Sequence, residues 1–243
     1  MIIQYWPLLA YVIGWMLFAY TCGSISFAVV VSRLAGLQDP RTFGSHNPGA
    51  TNVLRTGNKV AALATLLLDG FKGWVPLVLA RRYLLQNSIF DFSSVGFDTL
   101  SPFAEGCADW AIAGVAIAAF IGHLWPVFFR FKGGKGVATA AGLLLGMQPL
   151  LGLCVLLTWI FVAVTTRYSS LSALVSAALA PVYLVLGSMY VWTDAKGHVS
   201  SDPWPLAIAS ALMAGLLIYR HKDNIVRLMA GEESKIFRKK TTA

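Results

Sequence analysis

The feature that most constrains this chain is its succession of long apolar runs, at 6–31, 59–80, 108–129, 137–147, 150–166, 171–192 and 204–219. As a helix, about 20 apolar residues cross the hydrocarbon core of a bilayer. A backbone that faces lipid must satisfy its own hydrogen bonds, so each run is predicted to be helical. Mean hydropathy is +0.67, and 12% of residues are charged, about half the roughly 25% usual in soluble domains. The expectation is an all-α integral membrane protein with seven transmembrane helices. The fourth run ends at Gln148-Pro149, a turn signal. If it and the fifth run formed one kinked helix, the count would be six.

Charge gives the sides. With a periplasmic N-terminus and seven spans, the cytoplasmic segments are 32–58, 130–136, 167–170 and 220–243, with Lys59 at an edge. They hold Arg33, Arg41, Arg55, Lys59, Arg130, Lys132, Lys135, Arg167, Arg220, Lys222, Arg227, Lys235, Arg238, Lys239 and Lys240, which is 15 of the 19 cations. Arg81, Arg82 and Lys196 fall outside, and Lys72 lies within a span. Cations gather on the cytoplasmic side of membrane proteins, which places the C-terminus inside. Asp91, Asp98, Glu105, Asp109, Asp194 and Asp202 all fall outside or at the outer edge. The same rule accounts for the net charge of +8 without nucleic acid.

Residues 1–243 read as a single domain without repeats, ending in a basic cytoplasmic tail at 230–243 that frays or lies on anionic lipid. The loop 86–107 reads as an outer decoration. The N-terminus lacks a positive leader region, so its run is read as a retained helix. Cys22, Cys107 and Cys154 form no CxxC and read as small buried hydrophobes. Scattered histidines and no inner carboxylate pair leave nothing for a metal, and no cofactor is expected.

Polar, glycine-rich segments collect on the cytoplasmic side. The first is GSHNPGATNVLRTGNK, residues 44 to 59. Gly and Asn tolerate positive φ, so backbone N–H groups can converge on one point. A loop of this kind entering a helix is either an anion cradle or a plain turn and cap. The second is FKGGKGVA, residues 131 to 138. It is not a Walker A motif, since the spacing differs and no Ser or Thr follows Lys135. Lys135 and the backbone of Gly133 and Gly134 are candidates to hold phosphate. Ser169, Ser170 and Ser172 open the sixth run, and RHKDN closes the seventh, with His221 and Asn224 on one helix face. Asp69 and Lys72, three apart within the second run, read as an ion pair supporting the loops. His123 reads as interfacial packing. The only acids beside the cytoplasmic glycines are read as Asp39 and Asp223.

Two cationic glycine loops on one face suggest recognition of two phosphates, by an enzyme of lipid synthesis or by a transporter. A transporter predicts paired halves and polar residues at mid-membrane. The polar residues gather at one face instead, which favours an interfacial enzyme. The histidine–aspartate spacing of another acyltransferase class is absent, since His198 and Asp202 lie outside.

GSHNPGATNVLR, GHLWPVFFRFKGGKGVAT, the Ser-Leu of YSSLS and RHKDNI, with GSISF and DGFKG, together resemble the PlsY family, the membrane acyl-phosphate:glycerol-3-phosphate acyltransferases of bacteria. The likeness covers nearly the whole chain in order. It implies seven spans in the inner membrane, a site facing the cytoplasm, and phospholipid synthesis by acyl transfer from acyl phosphate to the sn-1 hydroxyl of glycerol 3-phosphate, giving lysophosphatidic acid. It implies glycerol 3-phosphate, acyl phosphate and membrane lipid as partners, with no nucleic acid and no obligate protein partner. By position it assigns catalytic roles to Ser45, Arg55, Asn224 and His221, and substrate binding to Asn47, Gly49, Asn52, Gly133, Gly134, Lys135 and Ser170. His46 stands where the family commonly has Gly, and Ser172 where a small Gly often follows. The expected chemistry is substrate-assisted: Arg55, Lys135 and His221 hold phosphate, loop N–H groups and Asn224 face the oxyanion, and no covalent acyl-enzyme forms. Ser45 lacks a His–Asp pair within sequence reach.

Overall fold

The computed structural model describes residues 6–86, 102–190 and 203–236. The outer-loop residues 87–101 and 191–202 lie outside the described residues. So do Asp91, Asp98, Asp194, Asp202, Lys196 and His198 within those loops, and the tail beyond 236. The side chain of Glu105 is also outside them. The described chain is an all-helical integral membrane fold. Its helices are α1 (Trp6–Gly23), α2 (Phe27–Leu34), α3 (Ala50–Leu54), α4 (Lys59–Gln86), α5 (Pro102–Leu124), α6 (Val137–Met147), α7 (Pro149–Thr166), α8 (Ser169–Tyr190), α9 (Trp204–Arg220) and α10 (Lys222–Met229). Leu17, Leu63, Phe161, Val164, Leu186 and Leu212 point outward, the side on which lipid stabilises them.

The first run is not one helix. It breaks after Gly23 and resumes at Phe27 with a bend of 41°. Buried charge explains the break. Lys72 and Asp69 form an ion pair at 2.8 Å with both side chains under 5% exposed. Such a pair needs polar partners in place of water. The interrupted helix supplies them: Lys72 Nζ donates to the Ile25 carbonyl at 2.6 Å, and the Phe27 N–H faces Asp69. The third run also differs. Its helix ends at Leu124, five residues early, because Pro126 cannot continue the ladder; Tyr20 Oη donates to the freed Trp125 carbonyl at 2.9 Å.

α6 and α7 form a hairpin, not a kinked rod. A Cβ on Gly152 would lie 2.5 Å from Leu145 Cα, whereas seven residues along a straight helix are about 10 Å apart. α6 and α4 run parallel: Gly70 meets Gly142, Gly73 meets Thr139, and Leu77 meets Gly146. α6 has 11 residues, about 16 Å, well short of the roughly 30 Å hydrocarbon core. It is short because it starts deep. Thr139 Oγ1 donates to the Asp69 carbonyl at 2.9 Å, so about two turns of α4 extend beyond the start of α6. The glycine loop before α6 therefore sits recessed in the bundle.

Close helix contact depends on small residues. At Gly142 an added Cβ would lie 2.8 Å from the Gly70 carbonyl carbon. Gly142→Val is expected to force α4 and α6 apart and destabilise the fold by about 1–3 kcal/mol, seen as a lower Tm in detergent. The cysteines are half-buried free thiols rather than buried hydrophobes.

Candidate active site

The loop 35–58 is organised from within by Asn52. Its Nδ2 donates to the carbonyls of Pro40 at 2.6 Å and Phe43 at 3.1 Å. Its Oδ1 accepts the Ser45 N–H at 3.2 Å. Asn52 is 2% exposed, so its amide shapes the loop instead of meeting a ligand, which corrects its expected binding role. Gly49 is likewise framework: it precedes α3 and closes a turn onto the Asn47 carbonyl at 2.9 Å. The outcome is that Ser45, His46 and Asn47 face inward.

The glycine loop meets them. Gly133 and Gly134 have no room for side chains: a Cβ on Gly133 would lie 2.5 Å from Pro126 Cδ, and one on Gly134 would strike His123 and lie 3.2 Å from the Pro48 carbonyl. Gly136 takes φ +85°, where only glycine is unstrained. His123 is therefore a buttress as well as packing, and its Nδ1 bonds Thr139 at 3.0 Å. The N–H groups of Lys135 and Gly136 enter no backbone bond among the described residues. Arg41 stacks over Phe129 at 5.5 Å and holds the two loops together.

Between these loops and the α9–α10 junction lies a cavity of about 210 Å³, lined by Ser45, His46, Asn47, Gly133, Lys135, Tyr219, Arg220, Lys222 and Asp223. Lys135 Nζ bonds Asn224 Oδ1, and Asn224 Nδ2 donates to Glu233 Oε1 at 2.6 Å. With both ends engaged, Asn224 aims Lys135 and is not free to face an oxyanion. Burial, with help from Arg227, pushes the Lys135 ammonium down to about 8. His221 is 3% exposed, and burial pushes it down to about 4. Its Nδ1–H donates to the Leu217 carbonyl at 2.8 Å. A neutral imidazole offers phosphate no charge. Its Nε2 remains an acceptor, which suits a hydroxyl better than the expected phosphate contact.

Two residues outside the sequence-predicted set do structural service at the site. Arg220 donates to the carbonyls of Gly133 at 2.8 Å and Gly134 at 3.1 Å. An anion cradle must turn C=O groups away and N–H groups inward, and Arg220 holds that orientation. Arg220→Lys, which cannot fork to two carbonyls, is expected to raise the phosphate-substrate KM about tenfold with a smaller change in kcat.

The second is Glu233, in the segment read as a fraying basic tail. Residues 231–236 are instead seated. Glu233 accepts from Ser170 at 2.8 Å, from Asn224, and from Arg227 at 2.8 Å. Burial opposes its ionisation, but these three donors prevail and hold its carboxyl below the ordinary value. Arg55 donates to Ser234 Oγ at 2.8 Å, and the Ile236 N–H to the Arg167 carbonyl at 2.9 Å. Ser170 and Arg55 thus meet the tail and do not line the cavity. The reading of Asp39 and Asp223 as the only nearby acids is corrected by Glu233. The acidic pair Glu232-Glu233 in an otherwise basic tail was the available signal.

The fold and site define a polytopic membrane protein with a recessed, cationic, glycine-walled cavity. Residues 13–231 match the family model described as glycerol-3-phosphate acyltransferase. The chain is 51% identical over 227 residues to a glycerol-3-phosphate acyltransferase of Burkholderia multivorans, covering 93% of this chain and 92% of that one. It is 52% identical over 222 residues to one of Bordetella petrii, covering 91% and 92%. The crystal structure of PlsY, an integral membrane glycerol 3-phosphate acyltransferase, in its glycerol 3-phosphate form is similar with a TM-score of 0.74 and 32% identity, over 92% of this chain and 94% of that one. The lysophosphatidic acid form gives 0.72 and 31% over the same shares. The chain belongs to the glycerol-3-phosphate acyltransferase family.

Proposed function

We propose that this chain transfers a fatty acyl group from acyl phosphate to the sn-1 hydroxyl of glycerol 3-phosphate, releasing lysophosphatidic acid and inorganic phosphate at the cytoplasmic face of the bacterial inner membrane. The carrying observation is the 210 Å³ cavity with Lys135 and free loop N–H groups in its wall. That volume is below the roughly 300–1,000 Å³ of drug-sized sites, so it suits a small polar phosphate. The acyl chain remains in lipid. Family membership and the substrate- and product-named relatives support the same reading.

Seven spans with the N-terminus periplasmic and the C-terminus cytoplasmic are part of this proposal. The parallel run of α4 beside α6 and the α6–α7 hairpin fit alternating passes, and the cation asymmetry supplies the sign.

Lys135 and the loop N–H groups hold phosphate, with Arg220 and Asn224 fixing their aim. His221 Nε2 accepts the hydrogen bond of the attacking hydroxyl. As the ester C–O bond forms and the acyl–phosphate bond breaks, the hydroxyl proton passes to the departing phosphate. No hydrogen bond joins Ser45 Oγ to a histidine among the described residues, which favours direct transfer over an acyl-serine.

Purified protein given palmitoyl phosphate and glycerol 3-phosphate is expected to form lysophosphatidate, and with acyl-CoA or acyl carrier protein as donor it is not. Product from a thioester donor alone would overturn the donor assignment; no product from any donor would overturn the activity.

A further inference from the structure

We propose that His46 is a titrating phosphate ligand at the cavity mouth, so that affinity for the phosphate substrate rises as its imidazole gains a proton. This rests on the phosphate reading of the cavity given above.

His46 lies between Ser45 and Asn47 and lines the cavity opposite Lys135. Its backbone takes φ +54°, the left-handed region that L side chains avoid. The turn demands it: Gly44 at φ +60° and the His46 N–H to Phe43 carbonyl bond at 3.0 Å close the loop tightly. A glycine would meet this demand without strain, so the side chain is kept against a backbone cost.

Its ring bonding fixes what the side chain can do. Nδ1 lies 3.1 Å from the Arg41 carbonyl. A carbonyl only accepts, so Nδ1 carries hydrogen whether the ring is neutral or charged. The nitrogen that changes is Nε2. Neutral, it presents a lone pair, which repels a phosphate oxygen. Protonated, it presents N–H and positive charge, which attract one. His221 has the same Nδ1 arrangement but is buried, whereas His46 is exposed and free to take up charge from solvent.

The groups that face His46 set the coupling. Lys135 comes from the glycine loop, Arg220 from the end of α9, and Lys222 and Asp223 from α10. On its own loop, Arg41 is paired with Asp39 at 2.6 Å. The net positive surroundings oppose protonation of His46 in the empty cavity; a phosphate dianion reverses that. Imidazole is the side chain whose charge changes between about pH 5 and 8, so substrate binding and proton uptake are linked.

The test compares glycerol 3-phosphate KM for wild type, His46→Gly and His46→Lys in purified protein from about pH 5.5 to 8.5. His46→Gly suits the positive φ and stays folded. The phosphate's own second proton, near pH 6, titrates equally in all three and cancels in ratios. The KM of His46→Gly relative to wild type is expected to rise from about onefold at pH 8 to about three- to fivefold at pH 5.5, the range of an exposed ion pair. Wild type should approach His46→Lys at low pH and His46→Gly at high pH. A ratio that stays flat while acyl transfer proceeds overturns the role of His46 alone. No acyl transfer by wild type overturns the phosphate-site reading and this inference with it.

Discussion

Lys135→Ala is expected to lower kcat/KM for acyl transfer by about 1,000-fold while the protein still inserts and folds. Lys135 is the cation that both lines the cavity and is held by another site side chain, Asn224. A fixed charge aimed at developing anionic charge in a partly dry site contributes about 3–4 kcal/mol to the transition state, and about 1.4 kcal/mol is tenfold. Folding survives because Lys135 sits in a loop and its removal relieves a burial cost, the cost that depresses its ammonium to about 8. The same depression gives a pH signature. The cation is present below about pH 8 and lost above it, so phosphate-substrate KM should climb as pH passes 8. Lys135→Arg, which stays charged, should flatten that alkaline limb. An alkaline limb unchanged in Lys135→Arg would assign it elsewhere. His221 is neutral down to about 4 and contributes no limb between pH 5 and 8.

Glu233→Ala is expected to cost activity and stability together. The carboxylate, 7% exposed, is the common acceptor for Ser170, Asn224 and Arg227. Its removal leaves three donors without an acceptor and frees the segment that covers Arg55. Breaking one member of a buried charged network costs about 3 kcal/mol or more; the partly exposed Arg227 brings this to about 2 kcal/mol. Activity should fall about 100-fold, because Asn224 loses the contact that aims it at Lys135. Glu233→Gln retains an acceptor oxygen and should lose less of both. A Glu233→Ala protein with wild-type Tm and kcat would show that the seated tail is inconsequential.

The fold was largely legible because lipid imposes one rule on every span, and the apolar runs obey it. What escaped was governed by single buried groups. Nothing in the pattern of 6–31 announces a break, since the break answers Lys72 and Asp69 some 45 residues later, and only tertiary contact reveals that Ile25 and Phe27 serve them. At the site, residue types that bind phosphate were readable in the loops, and Ser45, Asn47, Gly133 and Lys135 do meet at one cavity. Roles were less readable. Asn52 and Asn224 carry the same amide, yet one is consumed by its own loop and the other by a lysine. Arg220 passed as topological charge because its carbonyl partners lie 86 and 87 positions away in sequence. Glu233 was hidden by the basic composition around it, though a carboxylate among cations is the residue with the most partners to gain.

The most direct measurement is equilibrium binding of glycerol 3-phosphate to purified wild type and Lys135→Ala by titration calorimetry, without acyl donor. Saturable one-site binding to wild type, weakened at least tenfold in Lys135→Ala and competed by inorganic phosphate, is the expected result. Equal affinity in the two proteins would contradict the placement of the substrate phosphate in the cavity between the Ser45 loop and the glycine loop.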